Sequence, residues 1–150
     1  MGEALIRLSL RVYRLEVEAL EGLAVPLSIR QYHILDRVDR HIISMTELAA
    51  LARRQLATIS TSVSSLVRQD LLVRRPSPTD RRVVLLALTE AGDKVLAEAR
   101  AARASLASFI GASLDLDLEP GEIEAVAAAF YDRSEAKLRR AAEASGAERS

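Results

Sequence analysis

This sequence predicts a mostly α fold carrying one small β-ribbon, and three observations predict it. Apolar residues recur at three- and four-residue spacing along most of the chain. Two capping-box pairs, Ser28 with Gln31 and Ser44 with Glu47, mark helix starts. Between Leu71 and Leu88 the helical spacing gives way to two β-favouring runs around Pro76-Ser77-Pro78-Thr79-Asp80, which is turn chemistry. Helices, then a hairpin, then more helices is the order of a winged helix-turn-helix, with N- and C-terminal helices forming a dimerisation region.

The first helix covers residues 3–21. Leu5, Leu8, Val12, Leu15 and Ala19 form one apolar stripe, and Ile6, Leu10, Tyr13, Val17 and Leu20 form a second beside it. A helix wetted on so narrow a side needs two surfaces to pack against. Gly22 and Pro26 end it. A second helix runs from Ser28 to Arg40, with Ile34, Leu35 and Val38 inward. A short third helix starts at the Ser44–Glu47 box and turns Leu48 and Leu51 inward. A fourth spans Gln55 to Gln69 and buries Ile59, Val63, Leu66 and Val67. Strands follow at Leu71 to Arg75 and Arg82 to Leu88. Thr89 caps a long fifth helix, whose Val95, Ala99, Ala102, Leu106, Phe109 and Ile110 hold an apolar register to Leu114. Pro120 suits the first position of a sixth helix with Ile123, Val126, Ala127 and Phe130 inward. Residues 142–150 are small and polar and are expected to fray. The chain thus divides into a winged part at 27–89, dimerisation helices at 3–21 and 90–141, and the tail.

Composition narrows the function. There is no cysteine, which excludes disulfides, cysteine-type zinc sites and thiol redox chemistry. The early apolar stretch is broken by Arg7, Arg11 and Arg14, so neither a secretory leader nor a membrane span is expected, and a cytoplasmic location follows. Formal net charge is zero, but the charge is not evenly spread. From Arg53 to Arg82 stand Arg53, Arg54, Arg68, Arg74, Arg75, Arg81 and Arg82 against only Asp70 and Asp80. A basic module inside a balanced chain is an electrostatic footprint for nucleic acid.

The outer face of the fourth helix sharpens that expectation. It gathers Arg54, Ala57, Thr58, Thr61, Ser64, Ser65 and Arg68, and Gln55 at the helix start joins them as a DNA-binding candidate. Serine and threonine are mediocre helix formers, so local stability does not explain this row. Short hydroxyl side chains do suit close approach to phosphates and base edges. Arg81 and Arg82 lie at the tip of the ribbon, stiffened by two prolines, and Asp80 is expected to orient an arginine rather than touch DNA. Arg74 and Arg75 fall on opposite strand faces, so one of them can point at DNA, and Arg75 is taken as that residue.

These residues resemble the MarR family of bacterial transcriptional regulators, over about Leu5 to Leu138. The most specific elements are Leu27-Ser28 with Gln31 and Leu35, Ser44 followed by Glu47-Leu48-Ala49, and Asp80-Arg81-Arg82 six residues before Leu88-Thr89. Glu90-Ala91-Gly92 continues that last signal. The resemblance implies a sequence-specific regulator, a repressor that binds a near-palindromic double-stranded operator as an obligate homodimer. It implies dimerisation through the first, fifth and sixth helices, with Leu5, Leu8, Val12, Leu106, Phe109, Ile110, Ile123, Val126 and Phe130 in the contact. It implies small, often anionic aromatic effectors between the dimer region and the DNA-binding part, where Tyr13, Tyr32 and His33 are candidate pocket residues. No cofactor is implied. The sequence departs from the family pattern where Arg53 and Asp70 replace customary glycines, and where Thr61 and Ser65 replace mid-helix arginines.

Plainer readings stand beside these. The wing arginines and the hydroxyl row could be solvated surface, and the aromatic residues could be core. His33, His41, Asp36 and Asp39 do not share one helical face, so no metal site is expected. No catalytic set is visible, and the chain is not expected to be an enzyme. A winged helix that contacts protein, or an enzyme with a site in the dimer groove, remain the alternatives.

Overall fold

The computed structural model describes residues 2–40, 43–51 and 56–114. The expectations for Arg53, Arg54 and Gln55, for the sixth helix with Ile123, Val126 and Phe130, and for the tail lie outside those residues. In chain order the elements are α1 (Gly2–Glu21), α2 (Ile29–Arg40), β1 (Ile43–Ser44), α3 (Met45–Leu51), α4 (Leu56–Arg68), β2 (Leu72–Pro76), β3 (Val84–Leu88) and α5 (Glu90–Leu114).

Both capping boxes form. The Ser28 hydroxyl accepts the Gln31 backbone N–H at 3.2 Å, while the Gln31 side-chain oxygen accepts the Ser28 N–H at 2.9 Å. Ser44 and Glu47 repeat the exchange at 3.3 and 2.8 Å. Each box satisfies backbone donors that a helix start leaves orphaned, and so fixes where α2 and α3 begin. The Ser44 N–H and hydroxyl also hold the Glu47 carboxyl below the usual carboxylate range.

The core lies under the winged part. Leu27, Ile34, Leu35, Leu48, Ile59, Val63, Leu66, Leu71, Leu72, Leu86 and Leu96 are all at most 2% exposed. Only the C-terminal end of α1 reaches this core, through Leu20. The N-terminal half of α1 carries its apolar stripes into solvent, with Leu5 59%, Ile6 57% and Leu10 58% exposed. Phe109, towards the end of α5, is 60% exposed.

The sheet is antiparallel, in the order β1-β3-β2. β1 was not foreseen, because two residues are too short a run for any period to show. Its Ile43 pairs with Leu86 and ties the start of α3 to the ribbon. The ribbon strands are shorter than the sequence suggests. β2 starts at Leu72, since the Leu71 N–H is used to close α4 on the Leu66 carbonyl at 2.9 Å. β3 starts at Val84, because the wing turn captures the N–H groups of Arg82 and Val83. Arg82 therefore belongs to the turn and not to a strand.

Candidate nucleic-acid interface

α4 buries Ile59, Val63 and Leu66 and turns Ala57, Thr61 and Arg68 outward, with Thr58, Ser64 and Ser65 half-buried on the flanks of that row. The outward face is the one expected from 100° steps. The Thr61 hydroxyl donates to the Ala57 carbonyl at 3.1 Å, and the Ser65 hydroxyl accepts from the Gln69 side chain at 3.1 Å. Back-bonding spends the Thr61 proton inside the helix and leaves its oxygen lone pairs facing out.

Arg74 stands beside this row. Its guanidinium donates to the Ser64 hydroxyl at 3.0 Å. Arg74 pairs across the ribbon with the buried Leu86, so it lies on the sheet face that packs against α4, and Arg75 lies on the other face. Alternation alone separates these two arginines without saying which faces the helix. The structure brings Arg74 to α4, a placement the sequence reading did not make.

The wing tip is organised by Ser77, which is only 8% exposed. Its hydroxyl accepts the N–H groups of Thr79 at 3.3 Å and Asp80 at 3.4 Å, and its own N–H donates to the Val83 carbonyl at 2.9 Å. Asp80 then accepts the Arg82 backbone N–H at 2.9 Å and offers its carbonyl to the Val83 N–H. Asp80 thus orients the wing through the main chain of Arg82, leaving the exposed side chains of Arg81 and Arg82 outside the turn.

The end of α4 is locked to the start of α5. Asp70 adopts φ 57°, the left-handed conformation a helix-ending residue needs here. The Asp70 N–H donates to the Val67 carbonyl at 3.0 Å and that of Leu71 to Leu66, which is a Schellman closure without its usual glycine. Thr89, which caps α5 by accepting the Gly92 N–H at 2.9 Å, donates its hydroxyl to the Asp70 carbonyl. Gly92 lies so close that an added Cβ would stand 2.1 Å from the Leu71 carbonyl oxygen.

A second polar cluster joins α1, α2 and α5. Arg103 contacts Glu16 at 2.7 Å and the Tyr32 hydroxyl at 2.9 Å, with its guanidinium 4.5 Å above the Tyr32 ring centre. Arg100 bridges Asp36 and Asp39, each at 2.7 Å. Burial pushes the Asp36 carboxyl up, but hydrogen bonds from Arg100 and Arg40 outweigh it and hold the group below its usual range. Burial and the nearby Arg103 charge lower the His33 pKa. Beside this cluster opens a cleft of about 390 Å³ lined by Val12, Glu16, Tyr32, Arg100, Arg103, Leu106 and Ile110. Of the three aromatic pocket candidates only Tyr32 lines it. Tyr13 faces a separate groove near α4, and His33 packs edge-on against Tyr32 without reaching the cleft wall.

Comparison with known proteins agrees with this geometry. A family model described as MarR family matches residues 25–83. The transcriptional repressor CouR, solved on a 23-mer DNA duplex, is 26% identical, with a TM-score of 0.73 over 89% of this chain and 92% of that one. RV1404 from Mycobacterium tuberculosis is 26% identical, with a TM-score of 0.68 over 91% and 90%. FabT from Streptococcus pneumoniae, solved with DNA, is 23% identical, with a TM-score of 0.70 over 89% and 92%. No curated protein matches the chain by sequence.

Proposed function

We propose that this chain, whose residues 25–83 match a MarR-family model and whose fold matches that of a DNA-bound transcriptional repressor, is a winged helix-turn-helix regulator that represses transcription by binding a near-palindromic operator as a homodimer. The observation that carries the reading is the surface built by α4 and the wing. An outward row of Thr61 and Arg68, flanked by Ser64 and Ser65, lies against Arg74 and next to a wing whose arginines are held outside a rigid turn. Hydroxyl groups suit base edges and backbone, and arginines suit phosphate. In this reading Thr58, Thr61, Ser64 and Ser65 approach the major groove. Arg54, Gln55, Arg68, Arg74, Arg81 and Arg82 supply backbone and minor-groove contacts, and Arg75, on the other sheet face, gives way to Arg74. Two copies with recognition helices about 34–36 Å apart would read half-sites one duplex turn apart.

The exposed apolar stripes of α1 and the end of α5 are the surfaces a second copy would cover, with Leu5, Leu8, Val12, Leu106, Phe109 and Ile110 in the contact. The cleft beside Arg100 and Arg103 is the place for a small anionic aromatic effector, whose anionic group would compete with Glu16 for Arg103. It combines two guanidinium groups and the Tyr32 hydroxyl with apolar Val12, Leu106 and Ile110. Such a ligand would act by favouring a dimer geometry with the wrong helix spacing, so DNA would weaken its binding by the same factor.

Genomic fragment selection with the purified protein, followed by gel-shift titration of the recovered duplex, tests the reading. Arg82→Ala is expected to weaken binding roughly tenfold, as lost charge-assisted phosphate contacts do, while helicity and oligomer mass stay unchanged. Retention of no fragment would refute DNA binding, and an unchanged Arg82→Ala titration would remove the wing from it.

A further inference from the structure

α4 is flanked by arginine on both sides, and only one side belongs to the wing. On the first flank Arg74 donates to Ser64 at 3.0 Å. On the opposite flank Thr61, Ser62 and Ser65 form one wall of a groove of about 420 Å³, whose facing wall is made by Tyr13 of α1 and by Ser28 and Arg30 at the start of α2. Steps of 100° per residue place Ser64 on one side of the outward centre at Thr61 and Arg68, and place Ser65 and Ser62 on the other. The two arginines therefore stand on opposite sides of the same row.

This arrangement matters because an α-helix with its side chains is about 10–12 Å across, and the major groove is about 12 Å wide. A helix seated there fills the groove, and the two phosphate backbones run along its two flanks. Residues on opposite flanks meet opposite strands. Arg30 is exposed, and among the described residues no carboxylate pairs with it. Hydroxyls of Thr61 and Ser65 line the same groove, and Ile29 is its one aliphatic wall residue, so the lining suits a charged, hydrated occupant. Arg30 thus has the position, the charge and the freedom to take a phosphate.

We infer that Arg30 is a second backbone clamp, gripping a DNA phosphate on the strand opposite the one met by Arg74 and the wing. The inference rests on the DNA-binding reading of α4. It makes the winged domain a two-sided grip, in which the start of α2 sets how deeply and at what tilt α4 enters the groove. A phosphate contact carries no sequence information directly, so its signature is electrostatic and common to all sequences.

The test uses the full chain and a mixed-sequence duplex about three helical turns long, together with the duplex recovered by genomic selection. Binding is followed by fluorescence anisotropy over a salt series. Arg30→Ala is expected to weaken binding to both duplexes roughly tenfold and to reduce the magnitude of the log–log salt slope by about two per dimer, one for each lost phosphate contact. Arg30→Lys keeps the charge and should restore the slope. Circular dichroism of each variant verifies the fold, which an exposed side chain does not support. Unchanged affinity and slope for Arg30→Ala, with Arg82→Ala still weakened, would overturn the clamp and leave the DNA reading intact. Failure of the wild-type protein to bind either duplex would overturn both.

Discussion

At the residue scale, Asp70 shows a local cost accepted to keep a turn. A non-glycine residue in the left-handed region is strained by about 1 kcal/mol, and Asp70 holds φ 57° because its N–H is tied to the Val67 carbonyl, its own carbonyl to the Thr89 hydroxyl, and the next N–H, of Leu71, to the Leu66 carbonyl. Asp70→Gly is expected to relieve that strain, offset in part by the greater freedom of glycine in the unfolded chain. The net gain should be roughly 0.5 kcal/mol, read as a higher denaturant midpoint with an unchanged slope; a lower midpoint would show that Asp70 contributes something beyond the turn. This position was legible through the family resemblance, in which Asp70 stands where a glycine customarily follows the helix. Arg74 was not, because a two-residue period distinguishes faces without naming them, and only packing of the ribbon on α4 decides between Arg74 and Arg75. Ser77 was also hidden. Turn chemistry was plain, but not that one buried hydroxyl would gather two backbone donors.

At the scale of elements, α2, α3 and α5 were the most legible because each is announced twice, by apolar spacing and by a cap. The boxes at Ser28 and Ser44 formed as their spacing requires. Strand ends were less legible because they depend on which N–H groups neighbouring turns consume. β1 was invisible, since its pairing partner lies in a distant segment. Two carboxyls now link element stability to acidity. Glu47 and Asp36 are both held below their ordinary values, the first by Ser44 and the second by Arg100 and Arg40 against the effect of burial. A depressed folded-state pKa contributes stability above the unfolded value of about 4, and that contribution is lost as pH falls through the folded value. Urea midpoints should therefore hold steady near neutrality and decline below about pH 4. Asp36→Asn should lower the unfolding free energy at neutral pH by about 1 kcal/mol, discounted for the partial exposure of Arg100, and flatten the acid limb. An acid limb identical to wild type would show that the α2–α5 bridges do not couple to folding.

At the scale of the whole molecule, most of the winged part was readable, and the apolar faces proposed for dimerisation only through their periodicity. The double stripe of α1 called for two packing surfaces, and among the described residues one is supplied, with Leu5, Ile6, Leu10 and Phe109 exposed. A second copy is the proposed cover. Light scattering should return twice the chain mass, and Phe109→Glu should shift it towards the monomer while DNA affinity collapses, because two half-sites are no longer bound together. A monomeric wild-type protein with full affinity would contradict that arrangement. The aromatic candidates divided for a similar reason. Tyr13 and Tyr32 share a residue type but sit on different helices, and the fold sends them to separate clefts. The close approach of Gly92 to the Leu71 carbonyl leaves no room for slack between α4, the proposed recognition helix, and the long α5 behind it. The two must turn as pointer and shaft. A signal arriving at the shaft then requires no relay of rearranged side chains, since any tilt there is already a displacement of the pointer.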